Sequence, residues 1–266
     1  VVPCGSSLSA NLGKTIRVEN FPLLWLTGGS GGYYDTYKGD TFLIAGTGCI
    51  WGGGVSDYNA VTSINLNSQS LTTNFSAELL NKFKSNGLDL ILNNNNISIV
   101  NLSNSTNVDY LDVTNNLITN LFLDNVTEIR AANNQLSSID LSKNTNCRIV
   151  FAAGNLLTSV NFPFDDLGVL QLNLNNNTNL SLITNLQFQT SLQFVFLRNC
   201  DLSNFVVNAN LLHLHLDRNN LTNIDLSNYV NMSQLLLHNN QIIDLDFVNN
   251  VNLITIQIHG NQLTAA

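Results

Sequence analysis

One apolar frame recurs ten times along this chain. It reads apolar-x-x-apolar-x-apolar-x-x-Asn-x-apolar, with key positions Gln69, Asn95, Asn116, Asn134, Asn155, Asn175, Cys200, Asn219, Asn240 and Asn261. The copies follow one another at about 21 residues, a period in the range that marks a solenoid. Each unit of a solenoid is too small to bury its own apolar side and does so by stacking on its neighbours.

The residues of one copy give the local structure. Leu211, Leu214, Leu216, Asn219, Leu221, Ile224 and Leu226 form one frame; Met232, Leu235, Leu237, Asn240, Ile242, Leu245 and Phe247 form the next. Alternation around Leu214 and Leu216 has period two and predicts a short strand with one buried face. The expected fold is a β-rich solenoid with a parallel concave sheet and short turns or 3-10 segments on its convex side.

The asparagine has a separate task. A side-chain amide carries two donors and an acceptor, so once buried it can satisfy backbone groups left over where the coil turns. The frame predicts a ladder of Asn95, Asn116, Asn134, Asn155, Asn175, Asn219, Asn240 and Asn261, with Cys200 in one slot. On this reading Asn177 is a departure, and the long step from Asn175 to Cys200 marks a bulge or insertion.

This frame resembles the leucine-rich repeat family over residues 61–266. The Asn/Ser/Thr-rich form, as in "LTNIDLSNYVNMSQLLLHNNQI", is similar to short repeats of bacterial surface proteins and phage-encoded proteins. The resemblance implies a non-enzymatic recognition scaffold working outside the cell, on a cell surface or a virion surface.

Residues 1–60 do not carry the frame. They hold both Trp, and ten of the sixteen Gly fall between Gly28 and Gly54, with short apolar runs between Gly-rich turns. That pattern predicts a small Gly/aromatic-rich β module. It serves either as a cap over the first repeat or as an attachment module. The expected division is therefore 1–60 for the module and 61–266 for a solenoid of about ten repeats. Cys4 and Cys49 both lie in the module and could form a disulfide, which would suit an extracellular compartment. Cys147 and Cys200 sit at inward repeat positions. The first repeat is longer, and Ser76, Leu79, Leu80 and Phe83 suggest a short helix there.

Composition excludes several classes. Net charge is −8, and the ten basic residues are scattered, which argues against a nucleic-acid partner. No apolar stretch reaches membrane-spanning length. No nucleophile elbow, carboxylate pair or zinc-protease motif is present, so no catalytic residues are expected. No cofactor is expected either.

Residues two, four and six before each asparagine should point out of the concave sheet. They include Ile149, Phe151, Val169, Phe194, Phe196, Arg198, His213, His215, Asp217, Gln234, Leu236, His238, Thr255, Gln257 and His259. All four histidines of the chain are among them. Exposed aromatics beside imidazoles suit a protein or glycan ligand. The expected binding residues are Phe151, Phe194, Phe196, Arg198, His213, His215, Asp217, Leu236, His238 and His259. A metal on His213, His215 and His238 is a secondary reading, because the pattern lacks an established ligand spacing.

Two functional classes remain. One is a recognition or adhesion protein using the concave face. The other is an assembly subunit, part of a filament, fibre or particle, whose partners are copies of itself. The repeat stops at Leu263, which would leave the strand around Ile256–Ile258 as an edge open to homo-oligomer contacts.

Overall fold

The structure is a computed structural model that describes residues 42–43, 50–51, 63–68, 70–72, 75–76, 87–105, 107–208 and 210–264. Cys4, Cys49, Gln69, Leu79, Leu80 and Phe83 lie outside the described residues, as does most of the expected N-terminal module. The fold is a parallel β-solenoid. Its only helical element among the described residues is a 3-10 turn at Leu186–Phe188. The chain separates into two compact units, Val1–Val126 and Thr127–Ala266.

In the first unit, β1 (Phe42–Leu43) and β2 (Ile50–Trp51) pair antiparallel. The repeat strands β3 (Ser63–Asn65), β5 (Leu88–Ile91) and β7 (Val108–Asp112) form a parallel ribbon. A second parallel ribbon joins β4 (Phe75–Ser76), β6 (Ile99–Leu102) and β8 (Asn120–Leu123). Ser76 is thus the end of a strand. The inner side chains Leu88, Leu90, Leu92, Val100, Leu102 and Leu111 are completely buried.

The second unit repeats the plan over seven repeat strands. They are β9 (Glu128–Arg130), β11 (Ile149–Phe151), β13 (Gln171–Asn173), β15 (Phe194–Phe196), β16 (His213–His215), β17 (Gln234–Leu236) and β18 (Thr255–Gln257). All pair parallel with their neighbours in this unit. A second ribbon carries β10 (Ser138–Asp140), β12 (Ser159–Asn161) and β14 (Leu182–Thr184). Later repeats replace that ribbon with Asx turns, such as Asp225 Oδ1 accepting from Ser227 N at 2.9 Å. The middle residue of each repeat strand from β9 to β17 is fully buried, including Val150, Leu172, Val195, Leu214 and Leu235.

The asparagine ladder is present, with one correction. Asn219 shows its geometry: Nδ2 donates to Leu197 O at 2.7 Å and Leu216 O at 2.9 Å. Its Oδ1 accepts from Leu202 N at 3.1 Å, so one amide satisfies three groups in two repeats. Asn240 and Asn261 repeat the pattern. Between Asn155 and Cys200 the slot belongs to Asn177, not Asn175. Asn177 is fully buried, donates to Ala152 O at 3.0 Å and Leu174 O at 2.7 Å, and accepts from Leu157 N at 3.2 Å. Asn175 is half-buried on the outward side, where its Oδ1 accepts from Arg198 N at 2.7 Å. The expected bulge is therefore absent, and the steps to Asn177 and on to Cys200 are near-regular. At Cys200 the thiol approaches Leu174 O at 3.4 Å.

The same correction moves Val169. It is fully buried, and Gln171 and Asn173 take the outward positions of that repeat.

Backbone geometry explains why so many ladder residues sit in Asn-Asn pairs. Just before each slot, Asn133, Asn176, Asn199, Arg218 and Asn239 adopt positive φ between 54° and 59°, and Gly154 and Gly260 do so at 66°. The left-handed region is costly for most residues and least so for Gly and Asn. A second set of buried amides was not evident in the sequence. Gln189 donates to Pro163 O at 3.2 Å and Asp165 O at 3.1 Å, and Asn250 donates to Leu226 O at 3.0 Å and Tyr229 O at 3.1 Å. These residues fall outside the repeating frame.

Candidate ligand-binding face

Strand alternation that buries Val195 and Leu214 turns Phe194, Phe196, His213 and His215 outward, where all four are half-buried. Register sets Phe194 opposite His213 and Phe196 opposite His215. Their rings meet edge to face, with centroids 5.1 Å and 4.8 Å apart. Aromatic rings favour this arrangement because a positive edge meets a negative face. Upstream, Phe151 lies under Arg130, whose Cζ is 5.4 Å from the ring centroid. Glu128 Oε1 holds Arg130 Nε at 2.6 Å. Leu236 is half-buried on the far side of His215.

One position closer to the ladder runs a charged row. Arg198 Nε lies 3.1 Å from Asp217 Oδ2, and His238 Nε2 lies 3.3 Å from the same oxygen. His238 stacks on His259 with centroids 4.7 Å apart and planes 13° from parallel. Arg198 is half-exposed and His259 is exposed. Asp217, expected to face a ligand, is instead buried behind Arg198 and His238. Its role in the row is to fix its two neighbours.

Several buried polar atoms here lack a hydrogen-bond partner among the described residues: His215 Nε2, His238 Nδ1 and Asp217 Oδ1, together with Asp217 Oδ2, which meets Arg198 and His238 as an ion pair. Burial holds the pKa of His215 below the ordinary imidazole value, and the side chain of Gln234 opposes that shift. Burial likewise lowers His238, with Asp217 pulling the other way.

The structure does not gather His213, His215 and His238 around one point. His213 and His215 turn to Phe194 and Phe196, and His238 turns to Asp217. Among the described residues no three His, Cys, Asp or Glu side chains converge as a metal site. Cys147 and Cys200 are free and buried. No described helix is long and apolar enough to cross a membrane.

No protein-family model matches the chain, and no curated protein sequence matches it. Among solved structures, it is similar to the functional domain of InlJ from Listeria monocytogenes, a domain that includes a cysteine ladder. The TM-score is 0.66 at 25% identity, over 79% of this chain. The matched part is 46% of that chain, so this protein spans under half its neighbour's length. Here the described ladder is asparagine except at Cys200. The comparison establishes the solenoid fold.

Proposed function

We propose that this chain is a non-enzymatic recognition module, working outside the cell, that binds a protein or glycan through the outward face of β11 to β18. One observation carries the reading. The half-buried rings of Phe194, Phe196, His213 and His215 lie beside buried polar atoms, His215 Nε2, His238 Nδ1 and Asp217 Oδ1, that have no hydrogen-bond partner among the described residues. Folded proteins leave few such atoms unsatisfied. Apolar rings beside unsatisfied donors and acceptors are what a ligand needs to gain both burial and hydrogen bonds. The resemblance of the repeat to leucine-rich repeats agrees with this reading. Its test is adhesion to immobilised glycans and matrix proteins. The variant Phe194→Ala/Phe196→Ala/His213→Ala/His215→Ala should lose binding shown by the wild type, and retention of wild-type binding would refute the reading.

A second reading has its own observation. Val248, Val251 and Ile254 form an apolar stretch before β18 and are 72%, 83% and 87% exposed. That apolar surface supports self-association of the chain through β18. Light scattering after size-exclusion chromatography decides it. A particle larger than the 29.2 kDa monomer that Thr255→Lys/Gln257→Lys disperses supports assembly, and a monomer refutes it.

A further inference from the structure

The row Arg198, Asp217, His238 and His259 differs in charge from its surroundings. The chain is acidic overall, yet of the nine acidic residues between 127 and 266 only Glu128 and Asp217 take outward positions of the repeat strands and their extensions. Each already faces an arginine, Arg130 or Arg198. Against them stand all four histidines of the chain, with Arg218 beside His238. This face is close to neutral when the imidazoles are neutral and becomes cationic when they are charged.

Arg198 is arranged for an anion. Its Nε is committed to Asp217, and its backbone N–H is committed to Asn175 Oδ1. The terminal nitrogens Nη1 and Nη2 make no hydrogen bond to the described residues, and the side chain is 47% exposed. A guanidinium fixed along one edge offers its remaining N–H groups as a planar fork that fits a carboxylate or sulfate. Four of the six buried polar atoms without a partner among the described residues lie in or against this row. Two are imidazole nitrogens, His215 Nε2 and His238 Nδ1, which can donate to an anion when protonated; the others are the oxygens of Asp217, whose Oδ2 is already shared by Arg198 and His238 as their counter-charge.

Resting on the outward-face reading, we propose that this row is a subsite for the anionic group of an acidic glycan. The carboxylate or sulfate seats on the free edge of Arg198 beside the stacked imidazoles of His238 and His259, while the sugar ring lies over Phe196 and His215. A glycan fits better than an acidic peptide for two reasons. Half-buried rings lie next to the planar amides of Gln171, Asn173 and Gln234, which suit sugar C–H faces and paired hydroxyls. A peptide recognised through its backbone needs an unpaired strand edge, and the backbone of β15 and β16 is paired on both sides.

Binding should take up protons. His238 is faced by Asp217, His259, Arg198 and Arg218; His215 is faced by Gln234, Asp217, His213 and Arg198. Asp217 is the only anion in either set, and Arg198 shares it. An incoming anion supplies the counter-charge that protonated imidazoles lack.

Calorimetry with the full chain tests this, using tetragalacturonate, its methyl ester, inorganic sulfate and tetraglutamate. Tetragalacturonate should bind roughly tenfold or more tightly at about pH 5 than at about pH 7.5. The ester, the variant Arg198→Gln and the variant His259→Gln should each weaken binding at the lower pH by roughly tenfold or more. His259 is exposed, so its variant keeps the test valid if Arg198→Gln unfolds. An ester that binds as well as the acid, or no binding of the acid at either pH, overturns the proposal. So does tighter binding of tetraglutamate, or sulfate binding as tightly as the tetrasaccharide. Loss in Phe194→Ala/Phe196→Ala with no loss in Arg198→Gln or His259→Gln leaves the outward-face reading standing and overturns the anion subsite.

Discussion

Arg198 Nε lies 3.1 Å from Asp217 Oδ2, joining two successive repeats across the outward face. The carboxylate is buried while the guanidinium is half-exposed. Removing one partner of a buried pair leaves the other charge uncompensated, which costs more than the pair contributes. The anion is therefore structural, and the cation is the group offered to solvent.

The ladder predicts large single-site costs. Asn219→Ala removes two donors and one acceptor from buried carbonyls and an amide. Each stranded group costs about 1–3 kcal/mol, so a loss of roughly 3 kcal/mol or more is expected in urea unfolding. An exposed asparagine such as Asn223 should change stability by less than about 0.5 kcal/mol on the same substitution.

Two glycines separate backbone strain from collision. Gly154 and Gly168 have φ of 66° and 77°. A Cβ at Gly154 would stand 2.6 Å from Asn133 Oδ1, while nothing lies within 4 Å of one at Gly168. Gly168→Ala should cost about 1 kcal/mol from the left-handed backbone alone. Gly154→Ala should cost measurably more, as read by thermal or urea unfolding.

Both described cysteines should be inert in the folded state. Burial pushes the thiol pKa of Cys147 up to about 12 and that of Cys200 up to about 11. The thiolate is the reactive species. Peptide mapping after iodoacetamide treatment at neutral pH should find both unmodified in native protein and both alkylated in urea. Modification of either without denaturant would contradict their burial.

Acid should weaken the fold through His215. Its folded pKa is lowered by burial, whereas in the unfolded chain it takes up a proton near about 6.5. Below that value the unfolded state binds more protons, so stability falls as pH drops and levels off below the folded pKa. His238 acts in the same direction. Melting temperatures should decline between about pH 7 and pH 5, and His215→Gln should make that decline shallower. An unchanged slope would contradict the assignment.

The solenoid was legible because its evidence is periodic. Leu214 and Leu216 mark a strand, and the same spacing returns in every copy. One register went astray because "LNLNNNTNL" contains Asn173, Asn175, Asn176 and Asn177. The deciding signal was present: Val169, Leu172 and Leu174 stand eight, five and three residues before Asn177, and Asn176 completes the Asn-Asn pair. The burial of Asp217 was not legible, since a carboxylate at an outward position reads as exposed. Its place depends on Arg198 and His238 covering it from the two adjacent repeats. The edge-to-face pairs of Phe194 with His213 and Phe196 with His215 depend on side-chain orientation, which spacing does not give.

A comparison of two faces tests the central claim most directly. One variant carries Phe194→Ala/Phe196→Ala/His213→Ala/His215→Ala on the outward face of the repeat strands. The other carries Asn161→Ala/Leu182→Ala/Thr184→Ala on the second ribbon. Surface plasmon resonance against an adhering glycan or protein should show the first variant losing affinity by roughly tenfold or more while the second binds as wild type does. Wild-type affinity in the first variant, with loss confined to the second, would contradict the account.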